Sequence, residues 1–233
     1  MRSVNKITVE ILEKYPFSVS LVVFLLVFYP VQSVLGLQNN LEFGLDAFLR
    51  GEIWRMFTHP FIHGSISHVL FNSFIILVLG PKIEYRLGTS NIAVMLPITS
   101  IVIAVTLVML SLKEFFGASA FAYFLFGLVV SRNPKSILSF PNSDIAQKVG
   151  GDLSNWFYPF YSFFEKDPQN QNIFRTIFDP RSYLFWAIWT LIIGWLTAPF
   201  SAKALGHTVG FIIGVLIQIL ISLKTVREKF LFG

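Results

Sequence analysis

Six stretches of this chain run without a single Asp, Glu, Lys or Arg: Lys14 to Glu42, Arg55 to Lys82, Arg86 to Lys113, Glu114 to Arg132, Arg181 to Lys203, and Lys203 to Lys224. Apolar backbone of that length can satisfy its own hydrogen bonds in hydrocarbon only by coiling into helix. The expected fold is an all-α membrane protein with six transmembrane helices. Their predicted bounds are Phe17 to Leu37, Ser67 to Pro81, Ile92 to Leu112, Ser119 to Ser131, Tyr183 to Phe200, and Leu205 to Leu223. With 54% hydrophobic and 13% charged residues and a mean hydropathy of +0.66, the 233-residue chain is too apolar for a soluble domain and reads as a multi-pass integral membrane protein.

If the amino terminus is cytoplasmic, this topology puts 14 basic residues on the cytoplasmic side and only Arg50, Arg55, Lys113 and Lys203 on the other. The positive-inside rule then predicts cytoplasmic amino and carboxyl termini, in a protein of the cell membrane. The net charge of +5 reports topology, and no basic, aromatic-interleaved patch points to a nucleic-acid partner. The first apolar segment lacks a small-x-small cleavage site and reads as a retained helix, while Glu10 and Glu13 disfavour a mitochondrial presequence. Without cysteine, disulfides and thiolate chemistry are excluded.

Residues 1–233 read as a single membrane domain, into which residues 132–181 are inserted as a cytoplasmic loop between the fourth and fifth helices. The run Trp156-Phe157-Tyr158-Pro159-Phe160-Tyr161 in that insertion suits an interfacial anchor better than a partner-binding motif. On the outer face, Gln38 to Ile66 mixes Leu, Phe and Trp with charges. This suits short amphipathic pieces lying in the bilayer interface, though a surface loop with greasy anchors would look the same.

The polar residues inside the apolar segments gather at one level. Ser119 lies roughly 8 Å below Glu114 and His207 roughly 6 Å below Lys203, if each residue advances about 1.5 Å. Both segments run inward, so the positive ends of their helix dipoles face the same region. Serine becomes a useful nucleophile when a base takes its proton, and imidazole suits that task near neutral pH. No carboxylate shares this depth, so the pair reads as a dyad rather than a triad, with Tyr123, one turn after Ser119, able to hold the ring by packing. His68 and Asn72 are four apart and present two donors on one helix face, the arrangement of an oxyanion hole if the Ser119 amide joins them. The same pair would serve equally to cross-link helices. His59, His63 and His68 have a spacing that suggests zinc, yet His-Glu-x-x-His is absent, and neither metal nor organic cofactor is expected. Gly206, Gly210 and Gly214 form a small-x-x-x-small face suited to close helix packing.

Taken in order, these residues resemble the rhomboid family of intramembrane serine proteases. The matching pieces are Glu52-Ile53-Trp54-Arg55-Met56-Phe57-Thr58-His59, then His63, His68 and Asn72, then Gly80, Glu84, Arg86 and Gly88. Gly117-x-Ser119 with Tyr123, and His207-x-x-Gly210-x-x-x-Gly214, complete the set, which extends from about Phe17 to Leu223 apart from the insertion. The resemblance implies a six-helix core with a partly embedded Trp54-Arg55 loop and a cap formed by Ala198 to Ala204. Ser119 would be the nucleophile and His207 the general base; His68, Asn72 and the Ser119 amide would form the oxyanion hole. Tyr123, Gly117, Trp54, Arg55, His63 and Gly210 would support them. The implied partners are the lipid bilayer and transmembrane segments of other proteins, cleaved near small residues. Ala120 departs from the family's usual Gly, which puts close packing there in question.

The fourth segment spans only about 20 Å, short of the roughly 30 Å hydrocarbon core, so a hydrated pocket is expected above Ser119, open outward and closed on the cytoplasmic side. Two other classes compete with the peptidase. A catalytically silent rhomboid-like binding factor would be expected to lack Ser119 or His207, and both are present. A channel or ion-coupled transporter would carry polar residues along a whole pore and an acid within the bilayer, whereas no Asp or Glu falls in any predicted span. The oligomeric state is not encoded in any feature of the sequence.

Overall fold

The computed structural model describes residues 13–112, 114–131 and 180–232. The 132–179 part of the insertion, with its Trp156 aromatic run, lies outside the described residues, as does Lys113. Six principal helices organise the described residues: α1 (Pro16–Leu35), α5 (Ile66–Leu87), α6 (Thr89–Met109), α7 (Ser119–Val130), α8 (Pro180–Thr197) and α9 (Ala202–Phe232). Four of them, α1, α5, α6 and the Ala202–Leu223 part of α9, are long and apolar enough to cross a membrane, and α7 and α8 contribute shorter apolar helices. The outward faces carry large apolar side chains such as Val27, Val34, Val94 and Met109, as an integral membrane protein requires.

Helix α7 is the centre of the packing. Its residues Ala120, Phe121, Ala122, Phe124, Leu125 and Leu128 are all at most 2% exposed, enclosed by α5, α6, α8 and α9, with Phe17 of α1 edge-on to Phe121. Helix α9 lies closest. A Cβ added to Gly210 would sit 2.2 Å from the Ala120 carbonyl oxygen, one on Gly214 would sit 2.1 Å from that of Phe124, and one on Gly127 would sit 2.2 Å from that of Phe211. From Ala120 with Gly210 to Phe124 with Gly214 both numbers rise together, so α7 and α9 run parallel with their backbones in contact. Ala120 is accommodated because the missing methyl belongs to α9, at Gly210.

Helix α5 begins near its expected start but continues past Pro81 to Leu87, through Lys82, Glu84 and Arg86. The expectation of no acid in any spanning helix therefore fails at Glu84, which is 2% exposed. Its carboxylate is satisfied from elsewhere: it accepts from the backbone N–H groups of Phe17 at 2.9 Å and Ser18 at 2.8 Å, and from Thr89 Oγ1 at 2.9 Å. A negative charge on the first-turn N–H groups of α1 also complements that helix's dipole.

Between α1 and α5 the outer segment forms α2 (Gln38–Leu41), β1 (Phe43–Gly44), α3 (Leu45–Leu49), α4 (Arg55–Thr58) and a 3-10 turn (His59–Phe61). These pieces are short, and they leave Leu49, Ile53, Trp54 and Phe57 exposed. Strand β1 pairs antiparallel with β2 (Glu114–Phe115), joining the outer segment to the chain that leads into α7. Arg55 closes the segment from within: it is 8% exposed and donates to Glu52 at 2.7 Å and to the carbonyls of Asn39 at 2.5 Å and Glu42 at 3.1 Å. Hydrogen bonds from Arg55, then Arg50, hold the Glu52 carboxyl below the usual range against an opposing effect of desolvation.

Candidate active site

Ser119 is the first residue of α7, and its N–H therefore has no acceptor within the helix. The residues before it, β2 and the turn at Gly117 and Ala118, are not helical, so Ser119 does not lie on a helix running down from Glu114 as the depth argument assumed. Gly117 makes the approach possible. Its φ of +104° is a conformation side chains rarely adopt, and a Cβ there would meet His68 Cε1 at 2.7 Å and Nε2 at 2.9 Å. Its N–H donates to the His59 carbonyl at 2.8 Å, anchoring the turn to the outer segment.

His207 lies in the second turn of α9, and its Nε2 is 2.8 Å from Ser119 Oγ. The Tyr123 ring stacks on the imidazole at 4.5 Å between centroids and 16° between planes. Tyr123 in turn donates its hydroxyl to Thr190 Oγ1 on α8. Two planes in near-parallel contact leave the imidazole little freedom to tilt, so Nε2 stays aimed at the hydroxyl. A serine hydroxyl held against an unprotonated imidazole nitrogen is the arrangement from which a proton can be transferred.

Ser119 and His207 open into a cleft of about 620 Å³, lined also by Gln38, Gly64, Ser65, His68, Phe116 and Lys203. His68 lines this cleft. Asn72 lies one step behind it and does not line it: the amide is 1% exposed, and its Nδ2 donates to His63 Nε2 at 3.0 Å. One amide hydrogen is taken by His63, which leaves the second available to the space beside Gly117. Such a Gly117 Cβ would come within 3.7 Å of Asn72 Nδ2.

The sequence reading missed the residue that holds His63. Gln32, on α1 and 3% exposed, grips the His63 backbone from both sides: Nε2 donates to its carbonyl, and Oε1 accepts from its N–H at 3.1 Å. An isolated Gln in an apolar helix was the available signal. His63 itself must be neutral at Nε2 to accept from Asn72, and burial, then the neighbouring His68, lowers its pKa to about 4. His59 stands apart from the cleft, edge-on to Phe43 and Phe115 with its Nε2 3.5 Å from the Ser100 carbonyl, and burial lowers it to about 4 as well. Among the described residues no group of three or more His, Cys, Asp or Glu side chains is placed to hold a metal ion.

Trp54 and Arg55 do not line the cleft: Trp54 is half exposed on the outer segment, and Arg55 is turned into it. Gly210 acts on the site through the contact with Ala120 that sets the spacing of α7 and α9. Of the segment Ala198 to Ala204, expected to cap the site, only Lys203 lines the cleft, and α9 already starts at Ala202.

Comparison with known proteins bears on this arrangement. A family model described as the Rhomboid domain matches residues 50–146. The chain is 31% identical to Rhomboid protease GlpG of Salmonella paratyphi A over 137 residues, which are 56% of this chain and 50% of the relative. The figures for the protein of the same name from Salmonella typhi are the same, and the Salmonella newport protein is 31% identical over 135 residues. The chain spans about half the length of the curated relatives it matches.

Proposed function

We propose that the chain is a member of the rhomboid family and an intramembrane serine endopeptidase that cuts transmembrane segments of other membrane proteins, a reading supported by its likeness to the Rhomboid domain and to Rhomboid protease GlpG. The observation that carries this reading is the 2.8 Å contact between His207 Nε2 and Ser119 Oγ, with the Tyr123 ring stacked on the imidazole and both residues lining a cleft.

In this mechanism His207 Nε2 takes the Ser119 proton as Oγ attacks the scissile carbonyl carbon. Negative charge develops on the carbonyl oxygen, where the Ser119 N–H, His68 and the second amide hydrogen of Asn72 stabilise it. The imidazolium then gives its proton to the departing amine, leaving an acyl group on Ser119. A water entering through the cleft and deprotonated by His207 releases the acyl product. Gln32 and His63 act at one remove, fixing the direction of the Asn72 amide. Arg55, Trp54, Gly117 and Gly210 shape and support the site without entering the reaction.

The same reading makes residues 1–233 one membrane domain with six spanning helices, residues 132–181 being a cytoplasmic insertion. The bias in basic residues supports cytoplasmic termini in the cell membrane and a cleft that opens to the outer face. Helix α7, about 18 Å long, is too short to fill the hydrocarbon core, which supports entry of water above its first residue.

Purified protein in detergent, incubated with a transmembrane substrate, is expected to yield two fragments, and Ser119→Ala to yield none. Equal cleavage by the variant would reject the assignment.

A further inference from the structure

We propose that Lys203 is a specificity-determining residue of this cleft, whose ammonium recognises an acidic side chain of the substrate within two residues of the scissile bond. The inference rests on the peptidase reading above and adds a substrate class to it.

Lys203 precedes His207 by one helical turn, so the two side chains project from the same face of α9, and both line the cleft with Ser119. Peptide bound across Ser119 would therefore pass within reach of the ammonium. Lys203 Nζ also lies 5.5 Å from the centroid of the Phe116 ring, itself part of the cleft wall. The ring's negative face holds the cation at the cleft instead of leaving it to wander in solvent.

No carboxylate lines the cleft among the described residues, and Lys203 forms no ion pair with any of them. Glu42 accepts from Gln38 Nε2 at 3.0 Å and Glu52 is bound by Arg50 and Arg55, while Glu114, exposed on the β2 strand that packs against α9, forms no ion pair with Lys203. The cleft thus presents positive charge without an internal counterion, and an incoming Asp or Glu supplies the missing partner. An acidic residue is costly within a spanning helix surrounded by hydrocarbon. Transfer of that residue from lipid into a hydrated cleft facing Lys203 removes the cost and adds an attraction, so the gain belongs to the bound, unwound segment and favours its cleavage.

The test uses the full chain in vesicles and a transmembrane substrate set carrying Asp, Asn or Lys at each of the two positions on either side of the cut. For the wild type, Asp is expected to be cleaved about five times faster than Asn at one or more of these positions, and Lys more slowly than Asn, as a partly hydrated ion pair would give. In Lys203→Met the Asp-to-Asn ratio should fall to about one, and in Lys203→Glu the order of Asp and Lys should reverse. Ratios are read within each variant, so a general loss of activity does not obscure them, and the wild-type set decides alone if a variant fails to fold. Equal wild-type rates for Asp, Asn and Lys at every position overturn the proposal, as does an Asp preference that survives Lys203→Glu. Running the set with zwitterionic and with anionic lipid separates the substrate from a phosphate headgroup. A uniform lipid effect on every substrate with no Asp preference also overturns it. If the wild type cuts nothing and Ser119 is unreactive, the peptidase reading itself has failed. Cleavage without discrimination removes only the role of Lys203.

Discussion

Gly210→Ala is the smallest change that should separate the two halves of the site. A Cβ at this position would lie 2.2 Å from the Ala120 carbonyl oxygen, against about 3.4 Å for ordinary contact. The obstacle is backbone in the first turn of the buried α7, and it cannot rotate away as a side-chain tip would. Relief requires α9 to withdraw by about 1 Å, at a cost typical of overpacking, on the order of 1–3 kcal/mol. His207 lies three residues earlier on α9, so the same shift would stretch the 2.8 Å contact with Ser119 Oγ toward the limit of hydrogen bonding. Misplacement on that scale costs roughly 100-fold in rate. The check is kcat on a transmembrane substrate together with the unfolding midpoint in detergent. Gly194→Ala serves as control, since a methyl there meets nothing within 4 Å. If Gly210→Ala kept both kcat and midpoint at control values, the claim that this helix contact sets the Ser119 to His207 distance would be refuted.

Gln32→Leu should leave the His63 N–H and carbonyl without buried partners, destabilising the protein by about 1–3 kcal/mol for each group, and should lower kcat roughly 10- to 100-fold as Asn72 loses its alignment. Thermal unfolding and steady-state kinetics on the same sample would show both effects, and unchanged kcat would remove Gln32 and His63 from the account of the oxyanion site. Acidification supplies a separate test. Burial lowers the pKa of His59 and of His63 to about 4 in the folded protein, from an ordinary imidazole value of 6.5. Below pH 6.5 the unfolded chain binds protons that the folded chain refuses, so stability falls as pH drops from about 6.5 to 4, by up to about 1.4 kcal/mol per pH unit for each histidine, and these two contribute no further change below 4. Unfolding midpoints measured across that window should decline, and His59→Phe should make the slope shallower. A flat profile in the unsubstituted protein would contradict the burial of both rings as neutral imidazoles.

The spanning helices were legible because hydrocarbon forbids charge, and the gaps between charged residues recovered the principal helices to within a few residues at most ends. That logic failed at α5, where it stopped the helix at Pro81. Glu84 can lie inside the helix because the backbone N–H groups of Phe17 and Ser18 neutralise its cost, and those partners lie more than sixty positions away in sequence. Ser119 and His207 stood out as isolated polar groups among small residues, and Tyr123 followed from helical spacing. Gln32 and Thr190 did not, since a single Gln or Thr in an apolar helix looks the same whether it faces lipid or another residue. The β1–β2 pairing was equally hidden, because two residues are too few to show any alternation. For Asn72, spacing placed it on the His68 face but could not reveal that His63 takes one of its donors.

The central claim is that His207 activates Ser119, and reaction of the folded protein with a fluorophosphonate, mapped by mass spectrometry, tests it most directly. A single adduct on Ser119 is expected, forming at least 100-fold more slowly in His207→Ala and not at all after denaturation, because loss of a positioned general base costs on the order of 100- to 10,000-fold. An unmodified Ser119 in the folded protein, or an adduct that forms as fast without His207, would contradict it.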